Sequence, residues 1–578
     1  MQQHKGIKKV EQIEKISQSN VTITDSITDV MNKFGIKSVI QPFDILKRSG
    51  ALVSTLIFSL ILLPFITKGS VWEFFTRGLN KEEEGKKDSF YELKNNPKID
   101  WRALLYGIAK RFVVLVTRTN EEVANIIRAL IIDDTTIAKA GKHIEGTGYV
   151  HDHVIGRFIL GYKILVLGYW DGVSFIPIDF SIHREKGNDE IKKARNRIEK
   201  KKNQIRKLQE NKNSITARIK KINEQIDRLQ IIVKTNPTKT YQKQLSDKIK
   251  SKEKHQNKLS LVQEEIDKQK QKMHFLENAY YEIQKQSAKY GLKKEDYSKQ
   301  FKKKRDIKTA GYKRKKEIDM SKIDNAVSML KRAVKRRFKF DYVLTDSWFF
   351  CGKLLKYVDT LNDSTHLVSM AKLGNAKYKA LPSNRYLSAK QILEINKRKS
   401  KKNRTYKAKY IKVQAVYQDV RVVLFFVNIG RGDNWRLLVS TDLNIGFNKL
   451  MEVYKIRWTI EVFFKEAKQH LLLGKSQSQD FDAQIADTTL SLIRYILLSY
   501  YERIHYGISI GGLFRKLSQA SVEENLVADL SSIFMELLMA FAQLAGIDFI
   551  TVYEELIRQP DTERLVNKLR IVPIVRAS

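Results

Sequence analysis

Cysteine is nearly missing from this 578-residue chain, and Cys351 stands alone. That excludes an intrachain disulfide and any zinc cluster built on cysteines, and it suits a reducing cytoplasm. Proline occurs only eight times, and no Gly/Ser-rich linker or short repeat separates the segments. Long hydrophobic runs are also lacking. The most apolar stretch, Ala51 to Ile66, is interrupted by Ser54, Thr55, Ser59 and Pro64. It falls short of a bilayer span and reads as a buried helix. Near the N-terminus Lys5, Lys8 and Lys9 lead into no apolar signal core. Negative charge is scarce: 64 Asp and Glu stand against 106 Lys and Arg, a net charge of +42. Such an excess repels itself unless a polyanion is near. Nucleic acid is the first partner this implies, and an anionic membrane surface the second.

Hydrophobic periodicity divides the chain. Residues 1–125 read as helical, with amphipathic character over Ile23–Phe34 and a further helix near Trp101–Arg118. They form either a DNA-binding domain or a packing cap. Strand texture begins at residue 126: Ala129–Ile132 runs into Asp133-Asp134-Thr135. Two longer runs, Tyr162–Trp170 and Val173–Ser181, flank Asp171-Gly172, which is a hairpin signal. Residues 188–338 are rich in Lys, Gln, Glu and Asn. From Ile191 to Leu229 apolar residues step by three and four, with only Lys201 and Lys212 out of pattern. Asn236-Pro237 breaks the series, and a less regular one runs from Leu245 to Leu276. This predicts an antiparallel coiled-coil hairpin inserted between core strands. It serves either as a solvated spacer or as an arm that embraces DNA or a second protomer. Asp341–Leu344 is another strand, within 339–364. A β-rich insertion fills 365–445, residues 446–505 return to the core, and 506–578 are helical.

The candidate chemistry rests on carboxylates. Asp133 and Asp346 each stand at the end of a strand-like run, and Glu461 lies on a later helical stretch. Three such acids suit two divalent ions for in-line phosphoryl transfer, and oxygen ligands favour magnesium or manganese. Tyr454, Arg457, Glu461 and Lys468 fall on one face of a single helix at 3.6 residues per turn, so cations that grip phosphate flank the carboxylate. Strand alternation turns Asp134 away from Asp133, which leaves Asp134 a supporting role.

These residues resemble the DDE transposases of the insertion sequence 4 family. Tyr454, Arg457, Glu461 and Lys468 match the family's Tyr-x2-Arg-x3-Glu-x6-Lys signature without a gap, and Asp133-Asp134-Thr135 and Asp346-Ser347-Trp348-Phe349 resemble its aspartate turns. The resemblance covers roughly 125–505. It implies an α/β fold with a ribonuclease-H-like mixed-sheet core. It also implies Mg²⁺-dependent hydrolysis at an element end, then attack by the freed 3′-hydroxyl, either on the opposite strand or on target DNA. Asp133, Asp346 and Glu461 would hold the metals. Tyr454 and Arg457 would contact phosphate near the terminal base, and Lys468 the transposon end. Trp435 matches the place of a family tryptophan that stacks on a flipped base. The implied partners are duplex DNA, as transposon ends and as target, and a second copy of the chain. The long inserted hairpin has no counterpart in the family pattern.

Two other classes compete: a non-catalytic basic scaffold protein, and a nuclease that cuts without joining. His143, His151 and His153 lack a ligand partner for zinc. His183-Arg184-Glu185-Lys186 reads first as a solvated strand end and second as a contact to backbone phosphates, and Cys351 lacks a catalytic histidine.

Overall fold

A computed structural model describes residues 27–551 apart from 47–48, 68, 77–84, 119–125, 186–187, 288–290, 293, 363, 431, 505–508 and 549–550. Lys5, Lys8, Lys9 and Lys186 lie outside the described residues, as does the start of the amphipathic segment at Ile23.

Six helices come first: α1 (Ile27–Phe34), α2 (Lys37–Ile40), α3 (Val53–Ile66), α4 (Val71–Thr76), α5 (Lys87–Asn95) and α6 (Trp101–Arg118). Strands β1 (Ala129–Ala138), β2 (Gly148–Asp152), β3 (Arg157–Trp170) and β4 (Phe175–His183) follow. Helices α7 (Asn188–Thr235) and α8 (Lys239–Ser287) are the longest, and the shorter α9 (Lys294–Ser298), α10 (Ala310–Glu317) and α11 (Lys322–Lys335) lead to β5 (Tyr342–Thr345). Next come α12 (Gly352–Asp359), β6 (His366–Ala371), β7 (Lys377–Ala380), β8 (Arg385–Ser388) and α13 (Ala389–Asn396). Strands β9 (Lys401–Asn403), β10 (Ala408–Tyr417), β11 (Val420–Ile429) and β12 (Trp435–Ser440) complete the sheet. The chain then returns to helix with α14 (Phe447–Ile456), α15 (Thr459–His470), α16 (Phe481–Ile504) and α17 (Ile510–Ala545).

The chain divides into two compact units. One holds the residues up to Gly146, Tyr162–His183, and those from Lys299 onward; the other holds Thr147–Gly161 and Arg184–Ser298. The inserted unit therefore ends at Ser298, short of residue 338. Residues beyond it pack with the first unit: Arg305 pairs with Glu145 at 2.7 Å and with Asp482 at 3.0 Å.

The structure is mixed α/β, with a 12-stranded sheet in the order β2-β3-β1-β5-β6-β12-β11-β10-β7-β8, β4 pairing β3 and β9 pairing β10. In the first unit β1, β5 and β6 are parallel, and the β-rich stretch continues the same sheet through antiparallel β12, β11 and β10. The Asp-Gly hairpin forms between β3 and β4, with a turn over Asp171–Ser174. Asp171 Oδ1 accepts the N–H groups of Val173 at 2.9 Å and Ser174 at 2.7 Å. Gly172 has φ 111°, and a Cβ there would stand 2.0 Å from the Ile126 side chain, so both backbone and space require glycine.

Strand β4 is buried along its whole length and packs against α6, α11 and α16. Its Asp179 is tied to Arg102 at 2.8 Å, Arg332 at 2.7 Å and the Tyr106 hydroxyl at 3.0 Å. Burial opposes ionisation of Asp179, but the two guanidinium groups outweigh it and hold its carboxyl below the ordinary range.

The apolar run becomes α3, which is buried with Pro64 inside it. Proline has no N–H, so the Leu60 carbonyl loses its helical donor. Arg494 of α16 supplies one: Nη2 donates to Leu60 O at 2.6 Å, Nε to Ile61 O at 3.1 Å and Nη1 to Leu471 O at 3.2 Å. Among the described residues, no helix is long and apolar enough to cross a membrane.

In the second unit β2 pairs with Arg157–Gly161, and α7 packs along α8. A series of half-buried and buried positions on α7 steps by four and three from Ala194 to Leu229, with Asn223 half-buried beside it, and Lys201 and Lys212 occupy two places in the series. The apparent exceptions to the pattern belong to the seam, because a lysine can bury its stem while its ammonium reaches outward. Lys201 Nζ donates to Gln269 Oε1 of α8 at 2.8 Å.

Candidate active site

The register of β1 and β5 sets the site. Ile132 pairs with Thr345, so Asp133 and Asp346 follow at the same level on adjacent strands. Strand β5 ends there because Asp346 Oδ1 accepts the N–H of Trp348 at 2.9 Å and of Phe349 at 3.3 Å, which turns the backbone out of the sheet. The expectation that Asp133 closes its strand needs correction: β1 continues to Ala138, and what ends at Ile132 is its pairing with β5.

The expected single helix from Tyr454 to Lys468 is also corrected. It is two helices, with Tyr454 on α14, Arg457 and Trp458 in a turn, and Glu461 and Lys468 on α15. Successive i to i+3 bonds, including Trp458 N–H to Lys455 O at 3.0 Å and Glu461 N–H to Trp458 O at 3.1 Å, tighten the backbone there. The ion pair between Arg457 and Glu461 forms across the turn at 2.5 Å.

Arg457 spans the acids, its Nη1 lying 3.2 Å from Asp133 Oδ2 while Nη2 holds Glu461. Its Nε is buried with no hydrogen-bond partner, so one donor remains unspent. Burial disfavours its charge, but Tyr454, Glu461 and Asp133 raise its pKa overall. The same guanidinium does not compensate Asp133. Burial first, then the negative charges of Asp346 and Asp134, push that carboxyl up to about 7 against the opposing pull of Arg457. Burial also raises Asp346, with Asp134 adding to the shift and the two backbone N–H bonds opposing it. The Tyr454 hydroxyl is raised, mainly by burial.

Asp134 points elsewhere, as strand alternation requires. Its Oδ2 is 2.8 Å from Lys322 Nζ and 4.0 Å from Lys163 Nζ. Lys322, at the start of α11, also lies 3.8 Å from the centre of the Trp348 ring, so it ties the Asp133–Asp134 segment to the Asp346 turn. Sequence reasoning missed this lysine, because nothing local marks a contact 188 residues away. Lys468 Nζ donates to Thr135 Oγ1 at 2.6 Å, which holds α15 against β1.

Trp435 is half-buried, with Nε1 donating to Asp433 at 2.7 Å. Val439 pairs Ser369 and Ser369 pairs Thr345, so Trp435 lies at the same sheet edge as the acids. Strand spacing and rise put it about 14 Å from Asp346. Two tryptophans closer to the acids in sequence, Trp348 and Trp458, are 43% and 61% exposed.

His183 is not a solvated strand end. It is buried, with Nε2 2.7 Å from Ser181 Oγ. Burial and the nearby Lys322 charge bring its pKa down to about 4, so it is neutral. His143 Nδ1 is 3.1 Å from a backbone carbonyl, and the rings of His151 and His153 lie 4.7 Å apart. Cys351 precedes α12. A cavity of about 710 Å³, lined among others by Leu60, Tyr91 and Arg494, contains none of the candidate residues.

Among the described residues, no three acid, imidazole or thiol groups already converge as a metal cage. The donor set nevertheless suits a hard divalent cation, because all its ligands are carboxylate oxygens. Two of these are disfavoured in their charged form by burial and by like charge. Glu461 would have to exchange its Arg457 contact to take part.

No curated protein matches the chain. Among solved structures, it is similar to the cryo-EM structure of a piggyBac transposase synaptic complex with hairpin DNA, at 11% identity and a TM-score of 0.35, over 88% of this chain and 82% of that one. Residues 319–497, which include Asp346, Trp435, Tyr454, Arg457, Glu461 and Lys468 but not Asp133, match the family model of the transposase DDE domain.

Proposed function

We propose that the protein is a DNA transposase in which Asp133, Asp346 and Glu461 form one phosphoryl-transfer site on a ribonuclease-H-like core. The observation that carries this reading is the β1–β5 register, which brings an aspartate outside the matched domain level with one inside it. The strand order β4-β3-β1-β5-β6, with an antiparallel hairpin beside three parallel strands, supports the core assignment.

Divalent cations held by these three carboxylates, Mg²⁺ or in its place Mn²⁺, would supply activation of the attacking oxygen and stabilisation of the leaving one. The chain's own groups position the DNA. Arg457 lies beside Tyr454, its guanidinium 5.7 Å from the ring centre, so the two can grip a phosphate near the reacting bond. Lys468, held by Thr135, contacts the element end, and Trp435 offers a stacking face for a base displaced from the helix. Asp134 and Lys322 fix the two aspartate segments relative to each other. The products are a nicked end and then a strand-transfer product, and a dimer would pair two ends.

The test uses a labelled duplex carrying the terminal inverted repeat that borders the coding region, incubated with protein and Mg²⁺. A nick followed by hairpin or joined product is expected. A nick that never joins would instead make the protein a hydrolytic nuclease, and no cleavage would leave a non-catalytic DNA-binding protein.

A further inference from the structure

We infer that the distal half of the α7–α8 hairpin is a binding arm for the phosphate backbone of duplex DNA, independent of base sequence. The inference does not require the proposed catalysis, since it rests on the second unit alone.

Charge is distributed unevenly along the hairpin. Its distal half, residues 211–258, carries thirteen Lys and Arg against four Asp and Glu, a net of +9. The proximal half, 188–210 and 259–287, also has thirteen basic residues, but nine acidic ones reduce its net charge to +4. The only ion pair described within the hairpin, Arg206–Glu210 at 3.9 Å, is proximal. No distal cation forms an ion pair among the described residues.

The seam points the same way. On α8 a series of half-buried and buried positions recurs by four and three from Tyr241 to Tyr280 and includes Lys248, Lys252, His255 and Gln269; Ser251, Gln263, Glu265, Glu277 and Ala279 are half-buried beside it. The Lys201–Gln269 contact sets the register of the two helices, bringing Lys248 level with Ile222 and Lys252 level with Ile219. With Lys212, three distal lysines thus sit half-buried in a stretch of seam, residues 211–258, whose half-buried and buried positions contain no acid. A hairpin evolved only as a spacer gains nothing from this arrangement, because the lysines repel one another and reduce apolar contact. A polyanion laid along it removes the repulsion.

Shape and chemistry favour duplex DNA as that polyanion. At 1.5 Å per residue the distal half is about 35 Å long, close to one helical turn of DNA, about 34 Å. A second copy of the arm would meet the same +9 charge. The exposed large apolar side chains of the distal half are Ile231, Ile232 and Ile249, too few to form a membrane-inserting face.

The experiment measures binding of the full-length protein to a 30-base-pair duplex lacking any terminal repeat, in EDTA, as a function of salt. One variant neutralises five exposed distal charges (R218Q, K221Q, R228Q, K250Q, K254Q). Its control neutralises five exposed proximal ones (K200Q, K202Q, K207Q, K268Q, K272Q). If about three distal cations meet phosphates, the slope of log K against log salt falls by about 3, and binding at 0.1 M salt weakens on the order of 100-fold. The control stays within about fivefold of the parent. Equal losses in both variants would show an effect of net charge alone and overturn the inference, as would no loss in either. A distal variant that keeps its DNA affinity but loses binding to phosphatidylserine vesicles or polyglutamate would overturn it in favour of that partner. Circular dichroism checks that helicity is kept. If it is not, a photo-crosslinker replacing Gln242 in the otherwise unaltered protein should capture DNA while one replacing Gln271 does not, and the reverse pattern refutes the arm. Because the assay runs in EDTA on a duplex without a terminal repeat, its outcome does not depend on cleavage, which separates failure of the arm from failure of the catalytic reading.

Discussion

Replacing Asp133 with asparagine should stabilise the metal-free protein while abolishing its chemistry. The Asp133 carboxyl is moved from an ordinary value near 4 to about 7 by burial and by its acidic neighbours. The folded protein therefore holds this proton more tightly than the unfolded chain. Stability from this group is fully present below about pH 4, falls as pH rises toward 7, and is flat above. A displacement of that size corresponds to about 4 kcal/mol of destabilisation at pH 8. That is a ceiling, because Asp133 keeps some contact with solvent and its replacement costs Arg457 a charged partner. A gain of about 2 kcal/mol for D133N at pH 8, shrinking to nothing near pH 4, is the expected balance. Thermal unfolding in EDTA at pH 4, 5, 6, 7 and 8 measures it. Mg²⁺ at pH 8 should then stabilise the parent and leave D133N unmoved. If D133N is less stable than the parent at every pH, the balance of charges drawn around Arg457 is wrong.

Three further outcomes follow from the packing. Arg494→Met leaves the Leu60 carbonyl buried without a donor and should cost about 2–4 kcal/mol in thermal unfolding, while adding Pro64→Ala, which restores a helical N–H, should recover part of it. Asp179→Asn removes a buried partner of Arg102 and Arg332 and should cost about 3–5 kcal/mol at pH 7. Because the Asp179 pKa is lowered on folding, its contribution is present above the unfolded value near 4 and lost as pH falls below it, so the penalty for Asn shrinks in acid. Trp435→Ala should slow hairpin or strand-transfer formation by about 10-fold or more, equivalent to losing one base stack, with the initial nick less affected.

Much of the candidate site was legible because its elements carry local signals. Asp133 and Asp346 each follow an apolar strand run, and the β1–β5 register then places them side by side. The spacing of Tyr454, Arg457, Glu461 and Lys468 was readable too, but the turn at Arg457–Trp458 was not. No proline or glycine marks it, and it arises from i to i+3 bonding that side-chain periodicity does not report. Lys322 and Lys163 were invisible for another reason, since they reach Asp134 only through the fold. Lys201 and Lys212 looked like errors in an apolar repeat because hydropathy scores a lysine by its ammonium and ignores its stem. Pro64 read as an interruption of an apolar run, whereas Arg494, far along the chain, makes it tolerable.

The central claim is that Asp133, Asp346 and Glu461 act at one metal-dependent site. The most direct measurement is the rate of Mg²⁺-dependent nicking of a labelled terminal-repeat duplex by D133A, D346A and E461A, each shown to bind that duplex as the parent does. The expected result is a loss of at least about 1000-fold in each variant, with no further loss when two are combined, as for residues that act as a unit. Full cleavage by any one of the three would contradict the assignment.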